Sequence, residues 1–190
     1  MDVQPKLHPQ DKIMAKLVLP LIPEKWEPNY FTIARFILTP FVVLLIHYEM
    51  LYLSIFIFLI TAFTDTIDGS LARVRNKITD WGKLYDPVAD KLLIGSIVYM
   101  LVAKYIDFKA ALIIIILEIM LIGGGIIRLK KNLVVQANLW SKIKMNLQVL
   151  GSLFLLVALP MQRHFLFSIS AAAFYLAIAF AIVALFTQGI

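Results

Sequence analysis

Four aspartates, Asp65, Asp68, Asp86 and Asp90, fall within 26 positions of one another in a stretch that opens FTDTIDGSLAR at Phe63 and closes DPVADKLL. The first pair is spaced i,i+3 and the second i,i+4, so each pair lies on one face of its own helix. Carboxylates that converge need a cation. Hard oxygen donors with no His or Cys in the window select Mg²⁺ or Mn²⁺ over Zn²⁺. Four such groups suffice for two ions bridged by a shared oxygen, an arrangement suited to phosphoryl chemistry. The residues between them suit a phosphate ligand. Gly69 and Gly82 let a ligand approach the backbone, Ala72 is small, and Arg73 offers a planar fork for phosphate oxygens. Competing readings are a solvated loop with helix-capping aspartates and a metal-free proton relay.

The elements that carry these acids belong in a bilayer. The chain has 190 residues, of which 61% are hydrophobic, and its mean hydropathy is +0.86; soluble domains are usually ~45–50% apolar. The apolar residues come in runs, which excludes an ordinary soluble enzyme and gives no basis for a nucleic-acid partner. There is no cysteine, so disulfide and thiolate chemistry are excluded. The expected fold is all-α and polytopic, with six transmembrane helices near 31–48, 51–64, 88–105, 110–127, 143–159 and 167–186. The second of these is expected to run on past the first aspartate pair, with a basic turn joining Asp68 to Asp86. Residues 1–27 form a separate cytoplasmic leader, in which 11–21 (DKIMAKLVLPL) reads as an amphipathic surface helix, with a disordered leader as the alternative. Residues 28–190 form the membrane domain.

Fourteen of the eighteen Lys and Arg residues fall in the leader, in the aspartate loop, and in the loop between the fourth and fifth spans, which holds Arg128, Lys130, Lys131, Lys142 and Lys144. Lys104, Lys109 and Arg163 lie on the other side, and Arg35 lies inside the first span. The excess of positive charge puts both termini and the aspartates on the cytoplasmic side. Trp26, Trp81 and Trp140 read as anchors at that boundary.

The pattern Asp65-x2-Asp68-Gly69-x2-Ala72-Arg73-x8-Gly82-x3-Asp86-x3-Asp90 resembles the signature of the CDP-alcohol phosphotransferase family, with every fixed position filled. Pro28-Asn29-x2-Thr32-x2-Arg35 is similar to the element that opens the first span in many members. Asp86-Pro87-Val88-Ala89-Asp90-Lys91 resembles the form found in the family's phosphatidylglycerophosphate synthase and eukaryote-type cardiolipin synthase branches. The resemblance implies a six-helix membrane enzyme of phospholipid biosynthesis, a homodimer, that passes a phosphatidyl group from CDP-diacylglycerol to a hydroxyl. It implies that Asp65, Asp68, Asp86 and Asp90 bind two Mg²⁺ or Mn²⁺ ions and that Asp90 is also the general base. It assigns Asn29, Thr32, Gly69, Ala72, Arg73, Thr79 and Gly82 to the CDP-lipid site.

The acceptor is read from charge. Arg35, inside a span, needs a partner and is expected to face the acids or a substrate phosphate. Arg35, Arg128, Lys142 and Lys144 are the candidates for an acceptor phosphate; for the last three the simpler reading is contact with anionic lipid heads. Glu118, in the middle of the fourth span, is expected to pair with Arg128 or an acceptor-site cation, because an isolated carboxylate there is costly. Many relatives read Arg-Glu or Arg-Asp where this chain reads Leu117-Glu118, so one expected phosphate ligand is missing. Glycerol 3-phosphate is the preferred acceptor, phosphatidylglycerol the second and inositol phosphate the third. The non-enzyme alternative, a cation transporter, requires acids in mid-membrane and a path to the far side.

Overall fold

The computed structural model describes residues 9–77, 79–130 and 139–187. Among these residues the secondary structure is helical throughout. Seven α-helices follow one another: α1 (Pro9–Leu17), α2 (Pro28–His47), α3 (Leu51–Val74), α4 (Asp80–Tyr105), α5 (Phe108–Lys130), α6 (Leu139–Met161) and α7 (His164–Thr187), with a 3₁₀ turn, Leu19–Leu21, after α1. The expected all-α class is the observed one. Lys6 and Lys131, counted above toward the charge asymmetry, lie outside the described residues.

Five helices, α2, α3, α5, α6 and α7, are long and apolar enough to cross a membrane. Their surfaces agree with that use. On α2 the exposed face carries Ile33, Ile37, Phe41 and Leu44, while Thr32, Arg35, Thr39, Val42 and Ile46 are buried. Water penalises an apolar stripe of this kind and lipid does not. α4 has the length, 26 residues, but Asp86, Asp90 and Lys91 make its first half too polar to qualify. The aspartate loop is much shorter than expected. α3 runs on to Val74 and α4 starts at Asp80, so five residues join them. Asn76 ends α3 with a left-handed φ of 53°, and the Lys77 N–H donates back to Ala72 O at 2.9 Å. Asn adopts this conformation more readily than most residues, and the bond satisfies a terminal carbonyl.

The chain forms two compact units, residues 1–44 with 56–93, and residues 45–55 with 94–190. The first holds α1 and all four motif aspartates, with Phe58, Leu71, Ala89 and Leu93 buried. In the second, α7 packs along α6 and against α5. Its buried face repeats small residues, Ser170, Ala173, Ala177, Ala181 and Ala184. A Cβ on Gly151 would lie 3.2 Å from the Phe174 ring, and Ser170 Oγ donates to Gly151 O at 2.7 Å. Small side chains let helix backbones approach closely, which drives helix association where no hydrophobic effect operates.

Candidate metal centre and nucleotide site

All four acids lie in the first unit, two on α3 and two on α4. Three of them, Asp65, Asp68 and Asp90, share Arg35 of α2. Its Nη2 donates to Asp68 Oδ2 at 2.5 Å and lies 3.3 Å from Asp65 Oδ1, and its Nη1 donates to Asp90 Oδ1. The fourth acid, Asp86, accepts from Thr32 Oγ1 at 2.6 Å, one turn before Arg35 on the same helix. Thr32 and Arg35 are buried, while the Asp65 side chain is 50% exposed and that of Asp68 3%. The cluster thus grades from a buried floor to an open rim. A buried guanidinium needs counter-charge, and three acids in reach supply it. Its Nε remains buried without a partner.

A second node fixes the start of α4. Thr79 precedes the helix and caps it, its Oγ1 accepting from the Gly82 N–H at 3.0 Å. The same hydroxyl donates to Asn29 Oδ1 at 2.8 Å, tying the cap to the first turn of α2. A Cβ on Gly82 would sit 3.1 Å from Thr79 Oγ1, 3.3 Å from Asn29 Oδ1 and 3.4 Å from Asp86 Oδ2. Three oxygens therefore crowd the face that this glycine leaves bare.

Gly69 has a comparable role. A Cβ there would lie 3.2 Å from Arg73 Nη1 and 3.3 Å from Nη2. The Arg73 side chain therefore folds back one turn along α3 and lies over the glycine. Arg73 is held there by α1. Its Nε donates to Asp11 Oδ2 and its Nη2 to Asp11 Oδ1, each at 2.9 Å. Ser70 Oγ donates to Asp11 Oδ1 at 2.8 Å, and Asp11 is fully buried. Further along, Arg75 donates to the carbonyls of Leu19, Ile22 and Pro23, and Lys77 Nζ to Glu24 O at 3.0 Å. The leader that reads as a surface helix is fastened by four polar residues, Ser70 and Arg73 of α3 and Arg75 and Lys77 just after it. The sequence reading passed over Asp11 and Ser70. Asp11 opens α1, where an acid suits the helix dipole, and nothing in its spacing marks it as the partner of a residue 62 positions away.

In the second unit, Glu118 of α5 accepts from Lys144 Nζ and from Gln148 Nε2 at 3.1 Å. The expected partner was Arg128 or one of the cations named for the acceptor; the observed one is Lys144, among those named. Lys144 is buried, Lys142 exposed, and Arg128 intermediate, as is Ala72 in the first unit. Trp140, expected as a boundary anchor, stacks on Phe180 at 5.6 Å beside the buried cluster of Leu117, Leu121, Ala181, Ala184 and Leu185.

The motif acids fit divalent cations by their chemistry. Every donor is a hard oxygen, and three of the four already gather about one positive group. Among the described residues, no three acids close tightly enough as they stand to hold an ion by themselves, because the guanidinium lies between them.

The described residues thus combine helices with lipid-type surfaces and an acid cluster gathered about an arginine of a neighbouring helix. The sequence profile described as CDP-alcohol phosphatidyltransferase matches residues 25–187, and this chain belongs to that family. A protein of Rickettsia prowazekii named CDP-diacylglycerol–glycerol-3-phosphate 3-phosphatidyltransferase is 38% identical over 104 residues, which is 53% of this chain and 58% of its own length. Proteins of the same name are 29% identical over 161 residues in Mycoplasma pneumoniae, covering 72% of this chain and 71% of theirs, and 31% identical over 154 residues in Bacillus subtilis, covering 71% and 79%. The match spans little more than half the length of the rickettsial relatives.

Proposed function

We propose that the chain is a CDP-diacylglycerol-dependent phosphatidyltransferase that uses glycerol 3-phosphate as acceptor, giving phosphatidylglycerol phosphate and CMP. The observation that carries this reading is the gathering of Asp65, Asp68 and Asp90 about a single cation, in a chain whose motif is complete. The relatives' shared name supports the acceptor. Divalent metal dependence is general in the family; the ions here are read as two Mg²⁺ or Mn²⁺, held by Asp65, Asp68, Asp86 and Asp90. When bound, they would neutralise the diphosphate and make its phosphorus more electrophilic.

The protein's own groups do the rest. Arg73 takes diphosphate oxygens. Asn29, Thr32, Gly69, Ala72, Thr79 and Gly82 shape the nucleotide side, where the missing side chains make room for the Arg73 guanidinium at Gly69 and for the Thr79, Asn29 and Asp86 oxygens at Gly82. Asp90 accepts the proton of the acceptor hydroxyl as its oxygen attacks the phosphorus that bears diacylglycerol. The phosphoanhydride bond breaks and CMP leaves with the bridging oxygen. Arg128, Lys142 and Lys144 are the cations assigned to the acceptor phosphate, with Lys144 oriented by Glu118. Arg35, whose partners are the acids, acts on that cluster. We read α4 as the sixth span, with both termini and the motif on the cytoplasmic side, and a homodimer as the assembly.

The test is a panel of acceptors with purified protein, Mg²⁺ and radiolabelled CDP-diacylglycerol. Glycerol 3-phosphate should release CMP and yield phosphatidylglycerol phosphate. Cardiolipin formed from phosphatidylglycerol, with no reaction of glycerol 3-phosphate, overturns the acceptor. Absence of CMP with every acceptor overturns the enzyme and leaves cation transport as the reading to pursue.

A further inference from the structure

α1 contributes a charge to the site that the motif does not contain. Asp11 is fully buried, and both its carboxylate oxygens face Arg73, in the paired geometry that fixes a guanidinium in plane as well as in position. Ser70 adds a third bond. Only Nε and Nη2 of Arg73 are used. The guanidinium lies over Gly69, with Nη1 3.2 Å and Nη2 3.3 Å from where a Cβ would sit, and Nη1 is the nitrogen that makes no bond to Asp11. An arginine at this point on α3 has a strong alternative. Asp65 and Asp68 lie on the same helix one to two turns earlier, and Arg35 shows that a guanidinium settles among these acids when one is within reach. Without Asp11, a long flexible cation would be drawn toward the acids and away from the flank where a diphosphate must be met.

We propose that Asp11 is a positioning residue. Docked α1 holds the Arg73 guanidinium over Gly69, outside the acid cluster, with one edge left to receive the diphosphate of a CDP-linked lipid. The inference rests on the reading of Arg73 as the diphosphate ligand. It makes α1 part of the nucleotide site and assigns a function to a segment that its composition marks only as a surface helix.

The test separates positioning from simple docking of the leader. Asp11→Asn keeps the shape but removes the charge. It should raise KM for CDP-diacylglycerol about tenfold, the loss expected for a charge-assisted pair, with kcat and the acceptor KM within about twofold of wild type. CDP affinity, measured by calorimetry on detergent-solubilised protein, should fall by the same factor. Asp11→Glu should recover most but not all of both, because its carboxylate sits about one bond length away. Arg75→Gln loosens the leader at Leu19, Ile22 and Pro23 without touching Asp11, and should leave the CDP-diacylglycerol KM unchanged. Unchanged KM and CDP affinity in Asp11→Asn overturn the proposal, as does an equal loss in Arg75→Gln. If Asp11→Asn does not accumulate as folded protein, Asp11→Glu decides alone. It keeps the charge but displaces the carboxylate by about one bond length, so a measurable rise in KM, smaller than tenfold, supports positioning, and a wild-type KM overturns it. A wild-type protein that neither binds CDP nor releases CMP removes the underlying reading instead, so the two failures are distinct.

Discussion

Asp90 and Asp68 carry the same charge on facing helices, yet their surroundings suit different work. Asp68 is almost fully buried, whereas the Asp90 side chain keeps 22% of its surface exposed and is open to an incoming hydroxyl. Asp90→Asn should therefore abolish CMP release while keeping most CDP affinity, read by turnover and calorimetry on the same preparation; full turnover removes the general-base role. Arg73→Ala should raise KM for CDP-diacylglycerol well above any change in the acceptor KM, and the reverse order would move Arg73 to the other substrate. Arg35 gives a prediction about stability. Arg35→Met leaves Asp68 buried with no counter-charge, a loss of about 3–5 kcal/mol. Thermal unfolding without divalent metal should show the drop, and Mg²⁺ should restore part of it if the acids bind the ion. At this scale the acids were legible because their types and spacing are chemistry in themselves. That Arg35 would meet them was an open alternative, since a lone arginine in an apolar run states a need for a partner without naming one. Asp11 was not legible at all, because its partner is fixed by the fold and not by any periodicity.

Helix ends decide where these side chains stand. The stretch between Asp68 and Asp86 was expected to be a basic turn, since it carries Arg73, Arg75, Lys77 and Lys83. Instead α3 persists to Val74 and α4 begins at Asp80, and the basic residues Arg73, Arg75 and Lys77 are spent on the leader. Charge composition alone does not distinguish a solvated loop from a polar helix end that has found carbonyl partners. The cap at Thr79 follows a rule visible in sequence, a threonine three residues before Gly82, but its second bond, to Asn29, depends on α2 arriving alongside. Thr79→Ala should lose both, with destabilisation of ~1–2 kcal/mol and a raised KM for CDP-diacylglycerol. A stability loss with an unchanged KM would confine Thr79 to capping. Within the second unit, the stripe of small residues on α7 was present in the sequence as an apolar run, and only its packing on α6 reveals it as a contact face.

For the molecule as a whole, hydropathy located five of the membrane-crossing candidates, four to within a few residues at both ends, while α3 continues beyond its apolar run at 51–64 to Val74. It left α4 ambiguous, because the same acids that define the motif lower the apolar content of the helix that carries them. A site placed at the end of a span necessarily weakens the signal of that span. The absence of cysteine makes the expected topology simple to examine. Single cysteines at Lys25 and Arg163, both exposed, should be labelled by an impermeant maleimide from opposite sides of sealed, oriented vesicles; labelling of both from one side would overturn the six-span reading. The attachment of Arg75 has a further consequence. It grips three main-chain carbonyls, Leu19, Ile22 and Pro23, and every amino acid supplies a carbonyl. The contact itself therefore makes no demand on side-chain identity at Ile22 and Pro23, which unlike Leu19 are not buried. Random replacement there should be tolerated in a complementation library, while position 11 should return acidic residues alone.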